Sequence, residues 1–250
     1  MEKWNGFDCE ALTFEGYEAL IVFPKTGTAC GGLAVKTEYR DAFPETECRL
    51  LELGFHLCYI QNRNRWGTND DLDRKARFIR FVTARHRLKT KCALVGMSCG
   101  GLIAVKLAAR YPELVSCLYL DAPVINYMSC PCGFGVGEPL SPDLSEILNA
   151  LELDSASRLL ACRDMPLDHL DDLTRNRIPI VLVAGDADRV VPFCENGIFV
   201  QESCKNAGTE IEVYLKPGCD HHPHGLADPT PVADFILRHT CPEAAAAENG

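Results

Sequence analysis

At 250 residues the chain is long enough for one large domain or two small ones, and its 47% hydrophobic and 24% charged content is ordinary for a folded domain with a substantial core. The formal charge, 25 − 35 = −10, disfavours nucleic acid and anionic membrane surfaces as partners. No apolar run approaches a membrane span, and the opening residues Met1 to Asp8 lack the apolar core of a signal peptide.

Asp8 to Phe14 and Glu18 to Phe23 read as two strands around Glu15-Gly16, forming a hairpin. A Gly-rich loop from Thr26 to Leu33 follows Pro24-Lys25. A helix runs from about Glu45 to Leu53, started after Pro44 and ended by Gly54. Phe55 to Ile60 is a buried strand and Asn62 to Gly67 a loop. Asp70 to Leu88 is a long helix with acids in its first turn, bases near its end, and an apolar stripe of Leu72, Ala76, Ile79 and Val82. The apolar run Cys92-Ala-Leu-Val95 leads into Gly96-Met97-Ser98-Cys99-Gly100 and then a helix to Arg110. Val115 to Leu120 is a further strand, ending in Asp121.

Residues 124–176 interrupt the alternation and read as a lid-like insertion, with weak helical patterns at Leu144 to Leu151 and Ala156 to Cys162. Ile178 to Ala184 resumes as a strand, Pro192 to Ala207 is mostly helix, Ile211 to Leu215 is the last strand, and Pro231 to His239 a closing helix. The reading is one domain over 1–241 with a frayed tail over 242–250. Strands alternating with helices predict a mostly parallel, doubly wound α/β sheet flanked by helices, whose function collects at the carboxyl ends of the strands.

Fourteen cysteines would suggest a disulfide framework in a short secreted chain. This chain is longer, and Cys58, Cys92 and Cys117 fall inside core elements, so buried free thiols in a reducing cytoplasm are expected. Cys130-Pro-Cys132 has no second pair at finger spacing, so no zinc site is read there.

Ser98 is the candidate nucleophile. At a sharp strand-to-helix turn its Oγ stands clear of the backbone beside the positive end of the helix, and small residues at 96 and 100 let backbone segments approach. The acid and base belong on later strand ends. Gly185-Asp186-Ala187-Asp188 and Cys219-Asp220-His221-His222-Pro223-His224 supply them, in the order Ser98, Asp188, His221. A neutral histidine takes the serine proton, and a buried carboxylate holds its tautomer. Asp186 is the rival acid, its other role being to cap its own turn, and Asp121 is a weaker rival. His221 is favoured over His222 and His224, which flank the pocket or are merely exposed. Three close histidines also suggest a metal, but an ion there would tie up the base, so none is expected. The oxyanion is assigned to the Cys99 N–H and to the loop after Pro24, starting at Lys25 and reaching as far as Arg40. Glu38, Tyr39, Trp66 and His222 are candidates for lining the substrate site, and Tyr39 is also a candidate to present its hydroxyl to the oxyanion.

The sequence resembles the single-domain bacterial α/β-hydrolases related to acetyl-xylan esterases, dienelactone hydrolases and the catalytic domain of prolyl oligopeptidases. The resemblance spans about Glu18 to Thr240 and rests on Val22-Phe-Pro-Lys25, Leu53-Gly-Phe-His56, Gly96-Met-Ser-Cys-Gly-Gly101, Asp121-Ala-Pro123, Gly185-Asp-Ala-Asp188 and Pro217-Gly-Cys-Asp-His-His-Pro-His224. It implies nucleophile, acid and base roles for Ser98, Asp188 and His221. Cys99, where Arg, Gln or a small residue is usual, and Asp220, where Gly is usual, depart from the pattern. Asp220 is expected to act on His221 by its charge. The activity expected is hydrolysis of a carboxylic ester of a small acyl group such as acetyl, on a sugar or another small alcohol, through an acyl-enzyme, with no cofactor or metal. The expected partner is a small-molecule ester, with no nucleic acid and no membrane. The alternatives are a peptidase or amidase acting on short peptides, or a binding protein on the same fold.

Overall fold

The computed structural model describes residues 2–248. Strands β1 (Glu2–Trp4), β2 (Phe7–Phe14) and β3 (Tyr17–Val22) open the chain as an antiparallel meander. They are followed by β4 (Leu33–Lys36), α1 (Glu45–Glu52), β5 (His56–Ile60), α2 (Asn69–His86), β6 (Cys92–Met97), α3 (Cys99–Arg110) and β7 (Val115–Asp121). Then come α4 (Ser141–Ala150), α5 (Ala156–Ala161), α6 (Leu170–Arg175), β8 (Ile180–Gly185), α7 (Gly197–Ala207), β9 (Ile211–Lys216), α8 (Thr230–Thr240) and α9 (Pro242–Glu248).

All the strands join one sheet in the order β1-β2-β3-β5-β4-β6-β7-β8-β9. From β5 to β9 every neighbouring pair is parallel. The central strands are apolar along their whole length because both sheet faces are covered. In β6, Cys92 and Leu94 face one core and Ala93 and Val95 the other, and all four are buried. The first core is closed by α2, α3, α6 and α7, the second by α1 and α8. Val232, Phe235 and Ile236 of α8 are fully buried, each contributing about 1.5–3 kcal/mol by leaving water.

Two strands were not legible in the sequence. β1 has three residues, and β4 has four, all buried, directly after a Gly-rich loop. β4 matters because it lies between β5 and β6, parallel to both. Two further readings are corrected. α6 packs into the core shared with α3 and α7, so it is an ordinary covering helix rather than part of a lid, and the true excursion ends before it. The tail read as frayed is helical over Pro242–Glu248, with Ala245 buried in the second core and Glu243 2.9 Å from Lys89. Asn249 and Gly250 lie outside the described residues. The fourteen cysteines are all free thiols, and no helix among the described residues is long and apolar enough to cross a membrane.

Lys36, the last residue of β4, pairs with Glu47 of α1, and both side chains are 2% exposed. Lys36 also donates to the Ala42 carbonyl at 3.0 Å, which pins the loop between β4 and α1. Removing one partner strands the other charge in a dry site. Glu47→Ala is therefore expected to lower the unfolding free energy by about 3–5 kcal/mol, read by urea denaturation, while the double change Lys36→Met with Glu47→Leu recovers most of it.

Candidate active site

β6 ends at Met97, and Ser98 takes φ 52° and ψ −118° before α3 begins. A positive φ in a residue with a Cβ costs about 1–3 kcal/mol and persists only where its surroundings hold it. Three bonds do so here. The Ser98 N–H donates to Asp121 O (2.8 Å), and Ser98 O accepts from Gly101 N (2.9 Å) and Val124 N (3.1 Å). Gly96 lets the turn close, since a Cβ there would lie 2.6 Å from Gly100 O and 2.8 Å from Gly101 Cα.

The loop after β8 carries Asp188, and the loop after β9 carries His221. His221 Nδ1 lies 2.8 Å from Asp188 Oδ2, and His221 Nε2 lies 3.2 Å from Ser98 Oγ. The Asp188 side chain is wholly buried. Its Oδ1 accepts from Val190 N (2.9 Å) and Val191 N (2.7 Å). Burial pushes this carboxyl up, but the bonds from His221, Val191 and Val190 outweigh it and leave the group below the usual carboxylate range.

Other contacts lock the two loops together. The Asp220 carboxylate accepts from Arg189 N (3.0 Å), from the Arg189 guanidinium (3.1 and 3.2 Å) and from its neighbour's backbone, His221 N (2.8 Å). Asp220 thereby fastens the base loop to the acid loop, and those four donors hold its carboxyl down at about 2. Asp186, the rival acid, accepts from Gly218 N (2.7 Å) and joins the same two loops. Gly185 leaves room for this junction, because a Cβ there would collide with the carbonyl of Cys219. Asp121, the other rival, faces His224 rather than His221, with Oδ1 3.2 Å from its Nδ1.

Ser98 and His221 line a cavity of about 280 Å³ whose walls include Tyr39, Phe43, Val124, Cys130, Leu140 and Val191. A wider cleft of about 750 Å³ adjoins it, lined by Glu38, Asn62, Asn64, Trp66, Glu146 and Asn149, and Arg65 borders both.

A family model described as alpha/beta hydrolase fold matches residues 61–151, under half of the chain. The mouse acylamino-acid-releasing enzyme is 29% identical over 141 residues, which are 52% of this chain and 18% of that protein. Among solved structures, an acylaminoacyl peptidase from Pyrococcus horikoshii superimposes with a TM-score of 0.71 at 12% identity, covering 94% of this chain and 42% of its own. A truncated carbohydrate esterase from gut microbiota superimposes with a TM-score of 0.69 at 16% identity, covering 96% of each chain. The chain has the α/β-hydrolase fold. It spans 18% of the length of the mouse relative.

Within this α/β-hydrolase fold, Lys25, where the stretch assigned to the oxyanion begins, does not reach the elbow. β3 is antiparallel to β5, with Val22 opposite Leu57, and Leu57 is level with Ala34 and hence with Ala93 near the start of β6. Lys25 therefore lies off the end of the sheet opposite Ser98, and it is absent from the cavity wall. The strand that does run parallel beside β6 is β4, and its carboxyl end delivers Thr37, Glu38 and Tyr39 to the elbow. Thr37 Oγ1 donates to Gly100 O at 2.7 Å, which clamps this loop to the start of α3. Cys99 N, at the first position of α3, has no acceptor among the described residues.

The four substrate-site candidates divide. Tyr39 and His222 line the Ser98 cavity; Glu38 and Trp66 line the adjoining cleft instead. Trp66 is 1% exposed and packs edge-on against Tyr127 at 6.4 Å, so it supports that cleft from beneath. The Glu38 carboxylate accepts from Asn62 and, at 3.3 Å, from Tyr39 N. The Tyr39 hydroxyl faces the Cys99 thiol and the Arg65 guanidinium; burial, then Cys99, raises its pKa and keeps it protonated. Arg65 and Phe43 were not singled out from the sequence. Arg65 sits in the loop after β5, on the functional side of a parallel sheet, so its position was the available signal. The insertion supplies one wall through Cys130, Leu140 and Asp143, and Asp143 pairs with Arg65.

Proposed function

We propose that this protein is a serine hydrolase that cleaves carboxylic esters of small acyl groups such as acetyl through an acyl-enzyme. The observation that carries the reading is the imidazole of His221, 3.2 Å from the Ser98 hydroxyl on one side and 2.8 Å from a buried carboxylate on the other. His221 accepts the proton as Ser98 Oγ attacks the acyl carbon, and the Asp188 carboxylate stabilises the imidazolium that forms. The Cys99 N–H and the Tyr39 N–H are the oxyanion donors, the latter exchanging its long bond to Glu38 for the developing charge. Collapse passes the proton to the departing alcohol, and a water then repeats the sequence to release the acid.

Cavity size supports the small acyl group, since about 280 Å³ walled largely by apolar side chains suits a short chain. The wider cleft beside it suits a polar alcohol, because asparagine, arginine and glutamate side chains offer donors and acceptors there. A sugar ester fits both. The second reading is an amidase acting on N-acylated or short peptides, favoured by the 29% identity to the acylamino-acid-releasing enzyme. The two differ in the leaving group, and one comparison separates them. With p-nitrophenyl acetate, butyrate and octanoate, acetylated xylo-oligosaccharides, and N-acetyl-alanine p-nitroanilide, kcat/KM is expected to be highest for the acetyl esters and to fall at least tenfold by octanoate. Faster turnover of the anilide than of any ester would overturn the ester reading in favour of the amidase.

A further inference from the structure

His221, His222 and His224 stand together at the cavity mouth. Their ligand nitrogens all lie within 4.8 Å of one another, and their ring centroids are 4.8 to 5.0 Å apart. A buried carboxylate stands beside Nδ1 of two of the three. Asp188 Oδ2 holds His221 Nδ1 at 2.8 Å. Asp121 Oδ1 lies 3.2 Å from His224 Nδ1, without a hydrogen bond between them. Each carboxylate stands on the Nδ1 side and leaves Nε2 turned away from it, that of His221 meeting the Ser98 hydroxyl at 3.2 Å. This carboxylate–histidine arrangement is the one that makes imidazole a good ligand for zinc. The third ring, His222, is exposed and stacks on Phe43 at 5.7 Å, so it is free to turn inward.

We propose that His221, His222 and His224 form a reversible binding site for a divalent transition ion of the zinc type, and that occupancy switches the hydrolase off. The inhibitory part rests on His221 acting as the base; the binding part does not. Zinc–imidazole bonds of about 2.0–2.1 Å put ligand nitrogens about 3.4 Å apart in a tetrahedron, so the rings close by ~1.4 Å at most. His222 supplies that movement. The ion takes the Nε2 lone pair of His221, and the Ser98 hydroxyl loses its proton acceptor. No bond to carbon is made or broken, and chelation restores the lone pair.

The electrostatics favour a cation. Asp121 and Asp188 stand behind two of the ligands, and the guanidinium at the cavity, Arg65, is paired with Asp143 and Glu146. Oxygen-seeking ions gain little from an all-nitrogen set, so magnesium and calcium serve as controls.

The test uses zinc and cobalt as probes on the full chain. Zinc is expected to suppress fluorophosphonate labelling of Ser98 and turnover of p-nitrophenyl acetate in parallel, with recovery on adding EDTA and no response to magnesium or calcium. Cobalt bound to the Ser98→Ala protein is expected to show visible ligand-field bands without a thiolate charge-transfer band, which separates this site from the fourteen thiols. His222→Gln and His224→Gln are each expected to weaken zinc inhibition at least tenfold against their own metal-free rates, and to weaken the cobalt spectrum likewise. A thiolate band, or cobalt affinity unchanged in both variants, overturns the site. If no ester is hydrolysed and Ser98 is never labelled, the hydrolase reading fails instead, and the cobalt spectrum still decides the metal site.

Discussion

Ser98→Ala is expected to abolish ester turnover, lowering kcat by roughly four to six orders of magnitude while leaving KM and folding stability nearly unchanged. The reasoning starts from what the serine does besides its chemistry. Its unusual φ of 52° is held by backbone bonds to Asp121, Gly101 and Val124, none of which uses the side chain. Alanine keeps the Cβ, so it keeps the same backbone strain and the same contacts. Only Oγ is lost, and with it the 3.2 Å contact to His221. What remains is the cavity and the oxyanion donors, which retain a modest rate above water. Steady-state kinetics and a urea melt on the same sample check both halves. A variant that keeps a tenth of the activity would place the nucleophile elsewhere and remove the basis of the proposed reaction.

The architecture was readable where long elements with clear periodicity carried it. α2 announced itself by its apolar stripe and by acids and bases at opposite ends, and the elbow by a strand, a small-residue turn and a helix in immediate succession. β4 gave no such signal. Four buried residues after a glycine-rich loop have no alternation to read, and a long loop separates them from the next helix. Missing that strand let the expected oxyanion stretch begin at Lys25, fourteen residues before Tyr39 and off the end of the sheet opposite Ser98. The approach of Ser98, Asp188 and His221 was inferable from chain order, because each follows a parallel strand. The partners of Asp220 and His224 were not, since they depend on which loop reaches which in three dimensions.

The second large effect concerns Asp188→Asn, an isosteric change that is expected to lower kcat by roughly 10³ to 10⁴ at neutral pH with the fold intact. The direction follows from the hydrogen bonds of the native carboxylate. Oδ1 accepts from two backbone groups, Val190 N at 2.9 Å and Val191 N at 2.7 Å. In asparagine only the carbonyl oxygen can accept from both, so it takes the Oδ1 position and the amide nitrogen must take the place of Oδ2. That nitrogen then donates toward His221 Nδ1, 2.8 Å away in the native site. The imidazole answers by losing its proton at Nδ1 and carrying it at Nε2, where it points at Ser98 instead of accepting from it. The base is present but in the wrong tautomer, and no carboxylate stabilises the imidazolium. Two readouts distinguish this from a merely structural loss. The variant's urea midpoint should stay close to that of the native protein, and its rate should climb steeply as the pH is raised and the Ser98 hydroxyl is increasingly ionised by solvent hydroxide. A variant within tenfold of the native rate at pH 7 would show that His221 does not depend on Asp188 for its orientation.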